Sequence, residues 1–144
     1  MIREVEISEL LKLSTLGNYF KSFSAHINYS TDVFISNWTN LIEKNIGVIF
    51  VYEKDNNMLG MIGGIKYPDI NTGILVAMET FWIVLPEASG RGVALLNKFE
   101  SWARNEGCKK IIMVRLLSSM PEYVGDIYRK KGYKPIEEHF IKEL

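Results

Sequence analysis

The stretch Val84-Leu85-Pro86-Glu87-Ala88-Ser89-Gly90-Arg91-Gly92-Val93-Ala94-Leu95-Leu96 decides the fold. An apolar, β-rich run stops at Pro86, a loop carrying Gly90 and Gly92 follows, and a helical apolar pattern then begins. The start of a helix leaves backbone N–H groups without intrahelical acceptors, and the helix dipole adds positive potential there. Neither glycine has a Cβ, so an anion can approach the main chain closely. A pyrophosphate fits such a cradle. A tight strand-to-helix turn with no ligand is the plainer alternative, because Gly-x-Gly alone is a weak motif. A Walker loop would end in Gly-Lys-Ser/Thr, which this loop lacks. A dinucleotide fingerprint would sit early in a βαβ unit and carry a third glycine, where this chain has Leu95.

Working outward, residues 73–85 read as a long, central, apolar strand ended by Pro86. Before it, residues 48–53 and 58–67 read as a hairpin turning at Asp55-Asn56-Asn57, since Asn and Asp tolerate left-handed backbone. Ser30 or Thr31 can cap a helix whose Phe34, Trp38, Leu41 and Ile42 form one apolar stripe, with Gly47 as its stop. Residues 2–6 alternate as a first strand. Ser8 offers a cap to a helix carrying Leu10, Leu11, Leu13 and Leu16, which Gly17 and Asn18 interrupt. Residues 22–30 read as a loop.

Downstream, a helix is predicted over 91–106, burying Leu95, Leu96, Phe99, Trp102 and Ala103 and ending at Gly107. A strand over 109–116 follows. The next helix has Pro121 at its first position and stops at Gly132, and the tail 133–144 reads as extended. The predicted order is β-α-α-β-β-β-α-β-α-β. That is an α/β (α+β) chain with a mixed, mostly antiparallel sheet and helices on both faces.

The 144 residues, 47% hydrophobic, suffice for one domain over 1–144 with a substantial core. Seventeen basic and 17 acidic residues cancel, so no global field gathers phosphate backbones, which argues against nucleic acid as a partner. The apolar run at 73–86 is broken by Glu79 and Thr80 and is too short for a membrane span, so no membrane partner is expected. A single cysteine, Cys108, excludes an internal disulfide. With no signal peptide in the first residues, a cytoplasmic location is expected.

Val84-Leu85-Pro86 followed by Ser89-Gly90-Arg91-Gly92-Val93-Ala94 resembles the GNAT acetyltransferase superfamily. There the central strand ends in Val-x-Pro and the loop reads Gln/Arg-x-x-Gly-x-Gly/Ala. Tyr128-Arg129-Lys130-Lys131-Gly132-Tyr133 is similar to that family's Tyr-x-x-x-Gly-Phe/Tyr at the end of its last helix. The likeness runs from about Val76 to Leu144. Ser89 departs from it, standing where Gln or Arg is usual, and Pro121-Glu122 replace a frequent asparagine.

The resemblance implies acetyl-CoA as cosubstrate and an amine as acceptor, with no metal. It implies phosphate contacts at Ser89, Gly90, Arg91, Gly92, Val93 and Ala94, and pantetheine along Val84 and Leu85. An amine must shed a proton to attack a thioester, and the leaving thiolate must gain one. Tyr128 sits where the family's acid sits; a packing tyrosine is the alternative. Glu79, inside the apolar strand, is the candidate base; a structural carboxylate is the alternative. Strand parity does not fix its face, because the family's strand carries a bulge here.

His26 and His139 lack metal spacing. Cys108 reads as a structural thiol, and Lys130-Lys131 as a solvated helix end. Residues 17–30 and 68–72 are expected to build the acceptor side. A CoA-binding module without turnover, or a toxin acetylating aminoacyl-tRNA, would present the same motifs. Homodimerisation is open to the family.

Overall fold

The computed structural model describes residues 1–23, 29–117 and 120–144. It contains two compact units, Met1–Val114 and Arg115–Leu144.

The first unit holds β1 (Ile2–Glu4), a 3-10 turn (Ile7–Glu9), α1 (Leu10–Phe23), α2 (Thr31–Glu43), β2 (Gly47–Lys54), β3 (Asn57–Pro68), β4 (Leu75–Val84), a second 3-10 turn (Pro86–Ala88), α3 (Gly92–Asn105) and β5 (Lys110–Ile112). The strands form one sheet in the order β1-β2-β3-β4-β5. Every neighbouring pair is antiparallel except β4 and β5, which run parallel. The second unit holds α4 (Glu122–Lys130).

Local chemistry accounts for these elements. The β2–β3 hairpin turns at Asp55 and Asn56, with φ of 51° and 62°. Left-handed backbone at both positions matches the twist of the flanking strands. The Ser30 hydroxyl caps α2 by accepting from the Val33 N–H at 3.4 Å. Ahead of α1 the cap differs from the one expected at Ser8. The Glu9 carboxylate accepts from the Glu6 N–H at 3.0 Å and is held in turn by both terminal nitrogens of Arg3. That bidentate partner holds the Glu9 carboxyl near a pKa of about 2.

α1 also runs straight through Gly17 and Asn18. The Tyr29 ring occupies the space that a Cβ on Gly17 would fill, so this glycine admits a neighbour rather than ending the helix. Part of the loop expected over 22–30 falls on residues 24–28, which lie outside the described residues.

The predicted last strand is absent. Residues 133–144 join no ladder, and Ile136, Phe140 and Ile141 are 70%, 91% and 73% exposed. Their apolar positions do not keep the two-residue alternation that a half-buried strand needs. β5 is likewise shorter than the expected 109–116.

α1 and α2 cover one face of the sheet, where Leu10, Leu13, Leu16, Trp38, Ile49, Val51, Met61 and Phe81 form the core. α3 covers the opposite face with Leu95, Leu96 and Phe99, each fully buried. On β3 the consecutive Gly63 and Gly64 point to opposite faces. The Phe81 ring fills the space over Gly63, and the Phe99 ring fills the space over Gly64. Pairing shifts between these glycines: Gly63 faces Phe81 while Gly64 faces Glu79, leaving Thr80 as an extra residue on β4. The Thr80 hydroxyl donates to the Gly63 carbonyl at 3.1 Å and fastens the bulge.

Gly64→Ala would set a Cβ 2.6 Å from the Met78 carbonyl oxygen and against the Phe99 ring. Overpacking of this kind costs about 1–3 kcal/mol. The variant should therefore unfold at lower urea than the wild type. An unchanged midpoint would show that the niche is not needed.

Candidate active site

The loop predicted to cradle an anion is a series of tight turns. The Ala88 N–H donates to the Leu85 carbonyl at 2.9 Å, Ser89 to Pro86 at 3.1 Å, and Arg91 to Ala88 at 3.0 Å. Helical bonding starts only with the Leu95 N–H to the Arg91 carbonyl at 3.2 Å. Among the described residues, the N–H groups of Gly90, Gly92, Val93 and Ala94 take no main-chain acceptor. The amides of Ser89 and Arg91, counted as donors on sequence grounds, are thus engaged within the loop itself.

Each glycine of the loop has its own reason. Gly90 has φ +86°, a left-handed conformation that a side chain would strain. Gly92 has an ordinary φ, and a Cβ there would lie 3.2 Å from the Trp82 ring and 3.4 Å from Val84. Its lack of a side chain seats the start of α3 directly on β4. The Arg91 guanidinium stands over the Tyr52 ring, 5.6 Å from its centroid, so a fixed positive charge stays beside the loop.

β4 outruns its parallel neighbour. β5 pairs with it only at Val76, Ala77 and Met78, whereas β4 continues to Val84 with β3 as its paired strand. The Leu85 N–H turns inward and donates to the Leu59 carbonyl at 2.8 Å. Main-chain groups alternate along an antiparallel strand, so those of Val84 turn the other way, toward the side that β5 has left. Of the two residues expected to pair with a ligand, Val84 faces the open edge and the Leu85 N–H does not.

Glu79 stands where the strands part. It is 4% exposed, and its Oε2 accepts from the Val114 N–H at 3.1 Å. Among the described residues it forms no ion pair. Burial therefore dominates and pushes its carboxyl up to about 7, against a smaller downward pull from the Val114 amide. Nothing in the sequence marks Val114 as a partner of Glu79, because the contact joins residues 35 positions apart.

Tyr128 belongs to the second unit. It is buried in α4, its ring 5.7 Å from that of Tyr133, and its carbonyl accepts from the Tyr133 N–H at 3.0 Å. Gly132, with φ +91°, lets the chain turn back to make that contact.

The residues set aside on sequence grounds have ordinary surroundings. Cys108 is half-buried, and burial pushes its thiol up. His139 is exposed beside Glu137 at 3.2 Å, and His26 lies outside the described residues. Among the described residues no three of His, Cys, Asp and Glu gather as metal ligands, and no helix is long and apolar enough to cross a membrane.

Comparison with known proteins bears on this geometry. Among solved structures, an acetyltransferase of Trypanosoma brucei is 22% identical and superposes with a TM-score of 0.72, covering 100% of this chain and 99% of its own. A "predicted acetyltransferase" of Clostridium acetobutylicum, solved with acetyl-CoA, is 16% identical with a TM-score of 0.75, covering 99% and 95%. AAC(6')-Iy, solved with the bisubstrate analogue CoA-S-monomethyl-acetylneamine, is 17% identical with a TM-score of 0.75, covering 100% and 97%. These likenesses establish a shared fold. Among proteins with curated descriptions, none matches. Residues 11–121, well over half of the chain, match the Acetyltransferase (GNAT) family, and the chain therefore belongs to that family.

Proposed function

We propose that residues 1–144 act as one N-acetyltransferase domain that moves the acetyl group of acetyl-CoA to a primary amine on a small molecule or peptide. One observation carries this reading: β4 parts from β5 just beyond Met78, and the open amides of α3 begin where β4 ends. An extended ligand with a phosphate tail matches a free strand edge that runs into a helix N-terminus.

The residues fit the cosubstrate in its parts. The N–H groups of Gly90, Gly92, Val93 and Ala94 would hold the pyrophosphate, with Ser89 and Arg91 shaping the loop around it. The main chain of Val84, beyond Leu85, would pair with the pantetheine amides. The Arg91 charge, steadied on Tyr52, favours phosphate at this end.

The thioester supplies an activated acyl carbon, and the protein's part is to move protons around it. Glu79, with a carboxyl near 7, takes the proton that the amine sheds as its nitrogen bonds to the acyl carbon. The carbon–sulfur bond breaks, and the Tyr128 hydroxyl gives its proton to the departing thiolate. An acetamide and free CoA result, so thiol release against a panel of amines is the direct assay.

Three outcomes test this. Gly92→Val should press its side chain into Trp82 and Val84 and lift the first turn of α3 off β4. Losing one phosphate-binding amide corresponds to about a 10–100-fold weaker hold on acetyl-CoA by calorimetry. Wild-type affinity in that variant would remove the loop from the site.

Tyr128→Phe keeps the packing volume and deletes the proton donor. Turnover should fall by about 10²–10⁴ with acetyl-CoA affinity nearly unchanged. Full activity would assign the acid elsewhere.

The third outcome is a pH profile. A base works when deprotonated, so kcat/KM should rise with pH through about 7 and level off above it. Glu79→Gln should lose that limb along with most of the rate. Stability should run the other way. The folded state keeps the Glu79 proton to higher pH than the unfolded chain does, so stability should decline between pH 4.5 and about 7 in the wild type and stay flatter in Glu79→Gln. An identical pH–rate profile in the two proteins would clear Glu79 of the base role.

A further inference from the structure

We infer that Glu79 is also a positioning residue, whose carboxylate pins β5 at the fork and so sets the opening into which the cosubstrate enters. This rests on the proposed acetyl-CoA site and extends it to the element that builds the cleft.

The observations converge at one point of the sheet. The parallel ladder between β4 and β5 starts with the Lys109 N–H on the Leu75 carbonyl at 2.8 Å and ends at Met78 opposite Ile112. One residue on along β4 comes Glu79, and then the bulge at Thr80 turns the backbone out of register. Two residues past the end of β5, the Val114 N–H donates to Glu79 Oε2 at 3.1 Å. A side-chain oxygen thus reaches a main-chain donor of the diverging segment. A carboxylate extends well beyond its own Cα, so it joins the strands at a greater separation than a backbone ladder does. The fork is therefore held closed at Met78 and held at a fixed width one step further on.

Burial makes the bond count. Glu79 is 4% exposed, so water competes little for its oxygen. The bulge contributes as well. The extra residue and the Thr80 hydroxyl bond to Gly63 fix the turn of the β4 backbone from which Glu79 projects. The pin needs one oxygen, and the other is left for proton transfer.

The test compares Glu79→Gln with Glu79→Leu. Glutamine keeps an oxygen acceptor at the same reach and removes the basic group. Leucine keeps the volume and removes the acceptor; Glu79→Ala serves as a second acceptor-free variant if leucine fails to fold. Two quantities are read: hydrogen exchange at the Val114 amide, and acetyl-CoA affinity by calorimetry. In Glu79→Leu, Val114 exchange should speed up by about tenfold and acetyl-CoA should bind about tenfold more weakly. Glu79→Gln should stay within about threefold of wild type in both, although its turnover is lost. That split between affinity and turnover, with rescue by the amide, is not what a merely volume-filling residue gives. The pin is overturned if Val114 exchange is the same in Glu79→Leu as in wild type, or if Glu79→Gln behaves like leucine. It is equally overturned if leucine binds acetyl-CoA as tightly as wild type does. Failure of the wild type to bind acetyl-CoA would instead sink the proposed function, while the Val114 exchange arm would still decide the pin.

Discussion

Gly63 and Gly64 bare the backbone of β3 on opposite faces of the sheet, and the rings of Phe81 and Phe99 settle onto those bare patches. Both rings are buried, one in the core under α1 and α2 and the other beneath α3. The strand is so tightly clasped that its register is fixed, and the surplus residue on β4 has to fall at Thr80. The candidate residues of the first unit lie on either side of that bulge. Glu79 is adjacent to it, the parallel pairing ends one residue before Glu79, and the free part of β4 leads to the start of α3.

A carboxyl buried without a cation is expensive, and the surrounding groups show how that cost is contained. A single amide from Val114 is too little to keep Glu79 charged at low pH, so its proton is held until about pH 7. Glu9 presents the opposite case, with the Arg3 fork gripping it and its carboxyl held down near 2. One carboxylate is locked into an ion pair that ties the first turn to β1. The other is left near neutrality, able to exchange a proton at physiological pH.

What the sequence disclosed follows from the range of the physics involved. The β2–β3 turn was legible because Asp55-Asn56 announces left-handed backbone locally, and α2 because its cap and stripe lie within a few residues of one another. The strand–loop–helix from Val84 to Leu96 was legible for the same reason. Gly17 was misread because its role depends on the Tyr29 ring, which comes from further along the chain. The tail at 133–144 was misread because an extended character does not by itself provide a partner strand. Within the candidate site, Glu79 stood out as a charge in an apolar run, but its Val114 contact did not. Nor did the sequence tell that the Ser89 and Arg91 amides are consumed by the turns around them, or that Arg91 rests on Tyr52.

The sheet order has a consequence for how the chain folds. β1 through β4 include successive hairpins, β2–β3 and β3–β4, whose contacts are close in sequence. β5 reaches β4 only after the whole of α3 has been traversed, and then pairs over just three residues. Closing that crossover costs chain entropy before it returns any contact, and a ladder so short returns little. The fork is accordingly among the last parts of the sheet to assemble and the first to open in native-state fluctuations. A molecule bridging both sides of the fork would suppress local opening at the least stable seam of the fold, in addition to the global stabilisation that any ligand of the folded state gives by mass action.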